Sequence, residues 1–371
     1  MKIGLCHNLY GKYSHGGAET VVELMASDLM KLGHEVFLIT TKPNKIKEIK
    51  SINSPKFSED KNSNLKIYYL NSKFYNIADL NISERVLWHI NNLFSSSKYF
   101  AIKNILKEEK AELVITHNLT GLGFLTPHAI KSLNIRHEHF LHDIQLLHPS
   151  GLMIYGHENI LDSIAAKIYQ SITRILFSSP AKIISPSKWL LDIHLEHGFF
   201  KKSETEVRPF VWKTPENKNI LNGDLASSRI KKDFLNFLFV GQIEESKGIL
   251  LLIKAFKKIS KAELNLTIAS RNGGQLLNEI LELAIGDKRI NILSPLNFEE
   301  TKKLMENSDC LIVPSLCYEN SPTVIYGAHA AGLRVIASRI GGIPEIINDN
   351  DLLFEPGNEE DLIEKISFLN K

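Results

Sequence analysis

The feature that most constrains the fold is an alternation of short apolar strands with amphipathic helices along almost the whole chain. Residues 2–6 are strand-like, and residues 17–32 follow with apolar side chains at spacings of three and four, which indicates a helix. The same succession starts again at 237–240 and 249–259. Short buried strands separated by helices are typical of a parallel sheet that helices cover on both faces. We therefore predict an α/β protein.

Both halves of the chain contain further elements of these kinds. Strands are also predicted at 35–40, 65–70, 113–116, 136–141, 182–185, 264–269, 290–293, 309–313 and 334–337. Helices are also predicted at 83–109 (broken), 160–177, 275–284, 298–306, 323–331 and 360–369.

The chain length predicts two domains. Its 371 residues exceed what one hydrophobic core usually holds. Residues 213–235 are polar, carry Pro, Asn, Gly and Lys, and interrupt the alternation as a linker does. We therefore place an N-terminal Rossmann-like domain at 1–212 and a C-terminal one at 236–371. In doubly wound domains of this kind, ligands bind at the carboxyl ends of the strands.

Composition predicts a soluble cytoplasmic protein. No apolar run approaches the roughly 20 residues that span a bilayer, and polar His7 and Asn8 come too early for a signal peptide. Three cysteines are too few for a disulfide framework, so we expect reduced thiols. Residues 1–212 carry a net charge of +5 and the remainder −3. This asymmetry reflects either a solvated lysine-rich surface or a peripheral contact of the N-terminal domain with the inner face of a membrane.

Two strand-to-helix turns contain glycines that let the backbone approach a ligand. Gly16 and Gly17 open the first helix, whose N-terminus attracts anions. Gly241 and Gln242 follow a strand of the second half, and Lys247 lies beside the next helix start, where an ammonium would neutralise a diphosphate. Neither turn has the dinucleotide-binding or Walker pattern, which argues against a nicotinamide enzyme and a P-loop ATPase. The alternative interpretation is that Gly16 and Gly17 only form a tight turn and that Lys247 is an ordinary surface lysine.

A third segment joins a strand to a helix through a polar loop. Glu319 follows the strand at 309–313, at a carboxyl end where a carboxylate can hold sugar hydroxyls while loop amides hold phosphate. The alternative is an ordinary acidic residue near a helix start. The loop continues into the helix, where proline fits the first turn, through Asn320, Ser321, Pro322, Thr323 and Val324.

These segments, with others in the same order, resemble the retaining glycosyltransferases of family 4. The resemblance covers nearly the whole chain and includes Ile115–Asn118, His142-Asp143, Gly341–Glu345 and Leu353–Gly357. It implies the GT-B fold, in which two doubly wound Rossmann-like domains face each other across a cleft, with 1–212 on the acceptor side and 236–371 binding the donor nucleotide. It also implies transfer of a sugar from a nucleotide diphosphate sugar with retention at the anomeric carbon, without a metal or a bound cofactor. The implied acceptor is a sugar or a lipid-linked precursor of a surface polysaccharide.

The resemblance also implies roles for single residues. Glu319 and His117 would be catalytic, with His117 reaching the reaction centre from the first domain. His142 and Asp143 would lie on the acceptor side. The donor-binding residues would be Gly16, Gly17, Gly241, Gln242, Lys247, Asn320, Ser321, Pro322, Thr323 and Val324.

The chain departs from the family pattern at three places, and the departure at Gly327 motivates an alternative function. Gln242 stands where relatives often have arginine, and a neutral amide binds phosphate more weakly. Gly327 stands where the family has a second glutamate, thought to bind the ribose. We also expect the helix that braces the first domain in most relatives to be missing after 360–369. The alternative function is therefore a catalytically inactive subunit that binds a nucleotide, a glycan or another transferase.

Other clusters give weaker signals. Seven of the fourteen histidines lie between His117 and His157, but without the H-E-x-x-H spacing, so no metal site is predicted. Asp349–Asp351 is predicted to be a solvent-exposed turn rather than a cation site. Val86–Leu106 is either an interfacial patch or, as we favour, part of the core. No arginine stripe with interleaved aromatic residues is present, so no nucleic acid partner is expected.

Overall fold

The computed structural model describes residues 1–14, 16–43, 56–59, 65–210, 234–270, 274 and 276–369. The chain forms two compact units. The first comprises Met1–Leu152 and Asn159–Arg208, and the second comprises Met153–Glu158 and Pro209–Lys371. Of the predicted linker at 213–235, all but the last two residues lie outside the described residues.

The first unit contains an eight-stranded sheet in the order β3-β4-β2-β1-β5-β6-β7-β8. Only the β3–β4 pair is antiparallel among the described strands. From β1 the chain runs outward through β2 to β4 and then starts again at β5 on the other side, so the topological switch point lies between β1 and β5. The strands are β1 (Lys2–Cys6), β2 (Glu35–Pro43), β3 (Lys56–Glu59), β4 (Lys66–Ser72), β5 (Leu113–Thr116), β6 (Arg136–Phe140), β7 (Lys182–Ser185) and β8 (Glu204–Val207).

Side-chain caps fix where several helices of the first unit begin. Asn81 and Glu84 form a reciprocal capping box at α2, and Ser163 and Ser187 accept hydrogen bonds from amides in the first turns of α5 and α6. The helices are α1 (Gly17–Lys31), α2 (Ile82–Phe94), α3 (Ser96–Glu108), α4 (Thr126–Ser132), α5 (Ile164–Phe177) and α6 (Lys188–Glu196).

The second unit contains a fully parallel sheet in the order β11-β10-β9-β12-β13-β14. Its switch point lies between β9 and β12, because the chain moves away from β9 in one direction and returns to its other side. The strands are β9 (Leu235–Val240), β10 (Leu264–Ala269), β11 (Ile290–Leu293), β12 (Cys310–Val313), β13 (Arg334–Ser338) and β14 (Leu352–Phe354). The helices are α7 (Ile249–Lys258), α8 (Leu277–Ala284), α9 (Phe298–Asn307), α10 (Thr323–Ala330) and α11 (Glu359–Phe368).

Helices cover both faces of the second sheet. Successive strand residues point to opposite faces, and neighbours Phe237 and Leu238 accordingly belong to two different buried clusters. Phe256 of α7 packs in the first cluster and Ile325 of α10 in the second. This double burial explains why the strands read as continuous apolar runs.

The predicted fold class and most predicted elements are confirmed. Predicted and observed bounds of the recognised strands differ by at most three residues, and the helix predicted at 83–109 is broken at Ser95. The sequence reading missed the short elements β3, β8, β14, α4 and α6. In the described part of the chain no helix is long and apolar enough to cross a bilayer.

The favoured core placement of Val86–Leu106 is wrong for one face of α2. Val86, Leu87, Ile90 and Phe94 are 53%, 65%, 50% and 50% exposed. They lie on one side of the helix at spacings of three and four, so α2 turns an apolar stripe outward.

Three histidines are structural parts of the first unit. Thr116 Oγ1 lies 2.8 Å from both His137 Nε2 and His139 Nδ1, and His194 Nδ1 lies 2.8 Å from the Leu190 carbonyl. Burial lowers the pKa of His137 to about 3 and that of His194 to about 4, and it lowers the pKa of His139 well below its usual value. All three imidazoles are therefore neutral in the folded protein near pH 7.

These shifts predict that the first unit loses stability as the pH falls. A histidine whose folded pKa is lowered stabilises the fold fully above its unfolded pKa of about 6.5 and less below it. Each should cost about 1.4 kcal/mol between pH 7.5 and 5.5. Burial raises the pKa of Asp143 to about 6, which acts in the opposite direction. Burial also lowers the pKa values of His117 and His142 in this unit, which adds to the loss. Urea unfolding followed by the fluorescence of Trp88 and Trp189, both in the first unit, measures the change. Equal unfolding free energies at the two pH values would contradict it.

Candidate functional site

The two turns predicted to hold a donor diphosphate meet at the switch point of the second sheet. Lys247 lies in the turn between β9 and α7, and Glu319 lies in the loop between β12 and α10. Lys247 Nζ is 2.6 Å from Glu319 Oε1, and the two side chains are 26% and 18% exposed. Because β9 and β12 are adjacent parallel strands, their carboxyl ends bring residues 72 positions apart in sequence into direct contact.

The two carboxylate oxygens of Glu319 differ in their hydrogen bonds to the described residues: Oε1 accepts several and Oε2 accepts none. Besides Lys247, Ser315 Oγ lies 3.2 Å and Cys317 Sγ 3.7 Å from Oε1. No described residue donates a hydrogen bond to Oε2. Burial disfavours the charge of Lys247, but the carboxylate of Glu319 outweighs it and raises the pKa of Lys247 above its usual value. The site therefore presents a permanent ammonium and a carboxylate oxygen able to accept a hydroxyl.

Two glycines allow the loops to approach this closely. Gly248 has φ +69, and a Cβ atom there would lie 1.8 Å from the Pro314 carbonyl oxygen. Gly341 has φ +58, and its Cβ would lie 2.2 Å from the Glu319 carbonyl oxygen, which accepts a hydrogen bond from Gly342 N at 2.8 Å. The backbone on both sides of the ion pair is thus in contact with glycine, which alone adopts these conformations without strain.

The predicted donor residues of the second unit lie at the same edge, whereas Gly16 and Gly17 belong to the first unit, at the start of α1. Gly241 directly follows β9, with its N–H bonded to the Ala269 carbonyl at 3.1 Å, and Gln242 is exposed. Asn320, Ser321 and Pro322 lead into α10, in whose first turn Thr323 and Val324 lie. These five residues are half-buried, and Ser321 Oγ is 2.8 Å from the Tyr326 hydroxyl.

Gly327 faces another helix. An ideal Cβ at this position lies 3.2 Å from Met305 Sδ of α9. The position where the family has its second glutamate is thus part of the α9–α10 contact in this chain.

The carboxyl edge of the first sheet carries a separate group of polar residues. His7 follows β1, His117 follows β5, and His142 and Asp143 come two and three residues after β6. His117 Nδ1 lies 2.8 Å from His142 Nε2. His117 is fully buried and stacks on Phe140 at 5.6 Å, whereas His142 is partly exposed. Of the two imidazole rings in this pair, only that of His142 reaches solvent.

The tautomers of this histidine pair follow from their surroundings. Burial lowers the pKa of His142 to about 3 and that of His117 well below its usual value, so both rings are neutral. His117 Nε2 is buried and has no hydrogen-bond partner among the described residues, and proteins tolerate an unpaired acceptor better than an unpaired N–H. We infer that His117 carries its proton on Nδ1 and donates to His142 Nε2. His142 then carries its own proton on Nδ1.

Asp143 is held in a polar network that the sequence reading did not find. Asn118 Nδ2 donates to Asp143 Oδ2 at 2.8 Å, and Gln145 N donates to Oδ1 at 2.8 Å. Gln145 Nε2 in turn donates to Asn118 Oδ1 at 2.6 Å. Burial raises the pKa of Asp143 to about 6, although these hydrogen bonds to the carboxylate oppose the shift. The carboxyl group is oriented and titrates close to neutrality.

The glycine turn before α1 lies at the same edge. Gly16 N donates to Glu19 Oε2 at 2.8 Å, which caps α1 from Gly17 onward. Glu19 is 5% exposed, and its Oε1 is 3.9 Å from His7 Nε2. His7 was not among the predicted site residues. Its position directly after β1 could have identified it, because residues at that point share the carboxyl edge with His117. Among the residues that the structure describes, no three His, Cys, Asp or Glu side chains are arranged to hold a metal ion.

The glycine contacts predict a graded loss of stability in the second unit. Gly332 has φ +72 but nothing within 4 Å of its ideal Cβ, so Gly332→Ala should cost only the backbone strain of about 1–2 kcal/mol. Gly248→Ala adds the clash with Pro314 and should cost about 3 kcal/mol or more. Hydrogen exchange of the β9 and β12 amides measures both. Equal losses in the two variants would contradict the close contact.

Sequence comparisons match both halves of the chain. The model of the family described as "Glycosyltransferase Family 4" matches residues 15–209. The model described as "Glycosyl transferases group 1" matches residues 224–371.

Two relatives show how far the similarity extends. The uncharacterized 42.6 kDa protein in the cps region of Klebsiella pneumoniae is 28% identical over 354 residues, which cover 93% of this chain and 87% of that protein. Lipopolysaccharide 1,2-N-acetylglucosaminetransferase of Salmonella typhimurium is 29% identical over 204 residues, covering 50% of this chain and 52% of that enzyme.

Solved structures share the architecture. Sucrose-phosphate synthase from Thermosynechococcus elongatus superposes with a TM-score of 0.68 at 19% identity, covering 100% of this chain and 89% of that one. Anabaena HepE in complex with UDP-glucose gives 0.68 at 14% identity, covering 100% and 90%. The chain therefore belongs to the group 1 glycosyltransferases of family 4 and has their GT-B fold.

Proposed function

We propose that the protein transfers a sugar from a nucleotide diphosphate sugar, with retention at the anomeric carbon and without a metal ion. The second unit binds the donor, and the first unit binds the acceptor. The observation that carries this proposal is the Lys247–Glu319 pair, 2.6 Å apart at the switch point of the second sheet, where doubly wound folds bind their ligands.

The pair has the chemistry that a sugar diphosphate requires. Bond breaking puts negative charge on the leaving diphosphate, and Lys247 is a fixed positive charge in a half-buried place, where it acts more strongly than in water. The ammonium has three protons, so it can keep Glu319 and still donate to phosphate. Glu319 Oε2 is left to accept a sugar hydroxyl. The amides of the Asn320–Val324 turn would add donors for the phosphates.

In the first unit, we assign the acceptor side to His142 and Asp143. His142 is the partly exposed ring of the histidine pair, and its inferred Nδ1–H is a neutral donor suited to a hydroxyl. His117 is fully buried behind it. In this proposal His117 acts through His142, by fixing its tautomer and orientation, rather than by touching the substrate.

The proposed acceptor is a lipid-linked sugar. Two further relatives are named phosphatidylinositol N-acetylglucosaminyltransferase gpi3 subunit, from Schizosaccharomyces pombe, and sulfoquinovosyl transferase SQD2, from Arabidopsis thaliana. The outward apolar stripe of α2, from Ile82 to Phe94, supports a peripheral contact of the first unit with a bilayer at the cytoplasmic face.

A catalytically inactive subunit is the second candidate, and Gly327 is the observation that favours it. The position packs toward Met305 and offers no side chain to a ribose. Calorimetry with UDP, GDP and ADP without metal, followed by turnover of the matching sugar nucleotide, separates the two candidates. Nucleotide binding with turnover supports the enzyme. If none of the three nucleotides binds, the result supports the inactive subunit.

Replacement of Lys247 should discriminate between phosphate and nucleoside binding. Lys247→Ala removes a charge-assisted contact, so affinity for the nucleoside diphosphate should fall about tenfold or more, and affinity for the nucleoside should change little. Lys254→Ala is the matched control, because it removes an exposed lysine from α7, the helix that follows Lys247. This variant should bind both ligands as the wild type does. Isothermal calorimetry gives both affinities. Equal losses for diphosphate and nucleoside in Lys247→Ala would show that the phosphate assignment is wrong.

A further inference from the structure

One segment of the second unit comes from within the sequence of the first. Residues Met153–Glu158 belong to the second unit, although the residues on both sides of them, Leu152 and Asn159, belong to the first. We call Met153–Glu158 the strap. The strap lies against the loop between β12 and α10, which carries Glu319, and no motif of the sequence points to it.

The backbone of the strap pairs with that loop in one antiparallel β-bridge, between Ile154 and Cys317. Two hydrogen bonds form this bridge: Tyr155 N donates to the Leu316 carbonyl at 2.8 Å, and Tyr318 N donates to the Met153 carbonyl at 2.9 Å. Met153, the first residue of the strap, is 5% exposed, and Cys317 of the loop is 2% exposed.

A side-chain hydrogen bond fastens the end of the strap. The Tyr318 hydroxyl donates to Glu158 Oε1 at 2.9 Å, and Gly156 N donates to the same oxygen at 2.8 Å. Burial and the bond to Glu158 raise the pKa of Tyr318 to about 12, so the phenol keeps its proton at neutral pH. Hydrogen bonds from its own backbone N–H, from Gly156 N and from the Tyr318 hydroxyl lower the pKa of Glu158, which therefore stays ionised.

The opposite side of the loop is held by the turn that carries Lys247. The carbonyl of Ser246 accepts hydrogen bonds from Leu316 N at 2.9 Å and Cys317 N at 3.0 Å. The loop thus lies between the strap and the residue that precedes Lys247. Glu319 directly follows Tyr318, so the backbone position of Glu319 depends on both supports.

We propose that Tyr318 and Glu158 are positioning residues for Glu319, with the strap fixing its carboxylate against Lys247. This inference rests on the proposed function, in which that carboxylate and Lys247 hold the donor. A carboxylate on a loop needs support of this kind, because a displacement of about 1 Å is enough to weaken a contact that depends on geometry. Neither Tyr318 nor Glu158 has to touch the ligand.

Alkylation of Cys317 tests, without any ligand, whether the strap holds the loop between β12 and α10 in place. The thiol is buried under the strap, so a reagent such as iodoacetamide reaches it only when the loop opens. Tyr318→Phe and Glu158→Ala should each raise the rate about tenfold, because each removes a hydrogen bond to a charged group. Glu158→Gln keeps an acceptor and should restore most of the protection. Cys6 and Cys310, buried in strands, serve as internal controls whose rates should not change.

Tyr155→Phe is the matched control variant. It also removes a phenol from the strap, but Tyr155 is 46% exposed and its hydroxyl bonds to none of the described residues. Its Cys317 should react as slowly as in the wild type. Unchanged Cys317 rates in both Tyr318→Phe and Glu158→Ala would overturn the proposal.

Nucleotide binding tests the link to the donor site. Calorimetry with UDP, GDP and ADP should show about tenfold weaker binding in Tyr318→Phe and Glu158→Ala, because a displaced Glu319 no longer holds Lys247 beside the diphosphate. Binding should recover in Glu158→Gln. Faster Cys317 labelling with unchanged nucleotide affinity would overturn the positioning role. A wild-type protein that binds none of the three nucleotides contradicts the proposed function instead, and the Cys317 rates then decide whether the strap holds the loop.

Discussion

The loops at the carboxyl ends of β9 and β12 are arranged around the contact between Lys247 and Glu319. An ammonium and a carboxylate 2.6 Å apart, each less than one-third exposed, have lost much of their hydration. Such a pair is tolerable only if both partners stay in place, because removal of one leaves a half-buried charge uncompensated. Glycines at 248 and 341 let the backbone come close enough for the contact. The close backbone contacts at these two glycines therefore serve to keep Lys247 and Glu319 in contact.

The two sheets place different chemistry at equivalent positions. The second sheet has a charged pair between β9 and β12. The first sheet has neutral imidazoles after β5 and β6 and the carboxyl group of Asp143, whose pKa burial raises to about 6. Fixed charge suits a ligand that is a dianion, whereas neutral donors and a weakly acidic carboxyl suit hydroxyl groups. This contrast is consistent with our proposal that the diphosphate belongs to the second unit and the acceptor to the first.

The sequence predicted those features that depend on local pattern and on strand order. Buried parallel strands are continuous apolar runs, so their bounds were read to within three residues. The meeting of Lys247 and Glu319 was predicted because both follow strands of a doubly wound domain, and such strands end at one edge. The position of His117 after β5 was also predictable, but its full burial was not, because that depends on Phe140 stacking on it.

Features that depend on long-range packing were missed or misread. Asp349–Asp351 was predicted to be a solvent-exposed turn, and Asp349 and Asn350 are exposed turn residues. The Asp351 carboxylate, however, is 2% exposed and bonds to His329 and to the amide of Val335. Amphipathic α2 was assigned to the core, yet its buried side holds polar Asn92 and its apolar stripe faces outward. The strap could not be predicted, because it pairs backbone with backbone over about 160 residues and backbone pairing leaves no motif. Hydrophobic periodicity shows that a helix has two faces without showing which face is covered.

We propose that Lys247 and Glu319 form the floor of a diphosphate site at the carboxyl ends of β9 and β12. A crystal structure of the protein with whichever of UDP, GDP and ADP binds most tightly is the decisive experiment. We expect a phosphate oxygen about 2.7–2.9 Å from Lys247 Nζ, as in charge-assisted hydrogen bonds generally, with Glu319 still beside the lysine. A diphosphate bound elsewhere on the protein, with the Lys247–Glu319 pair untouched, would contradict it.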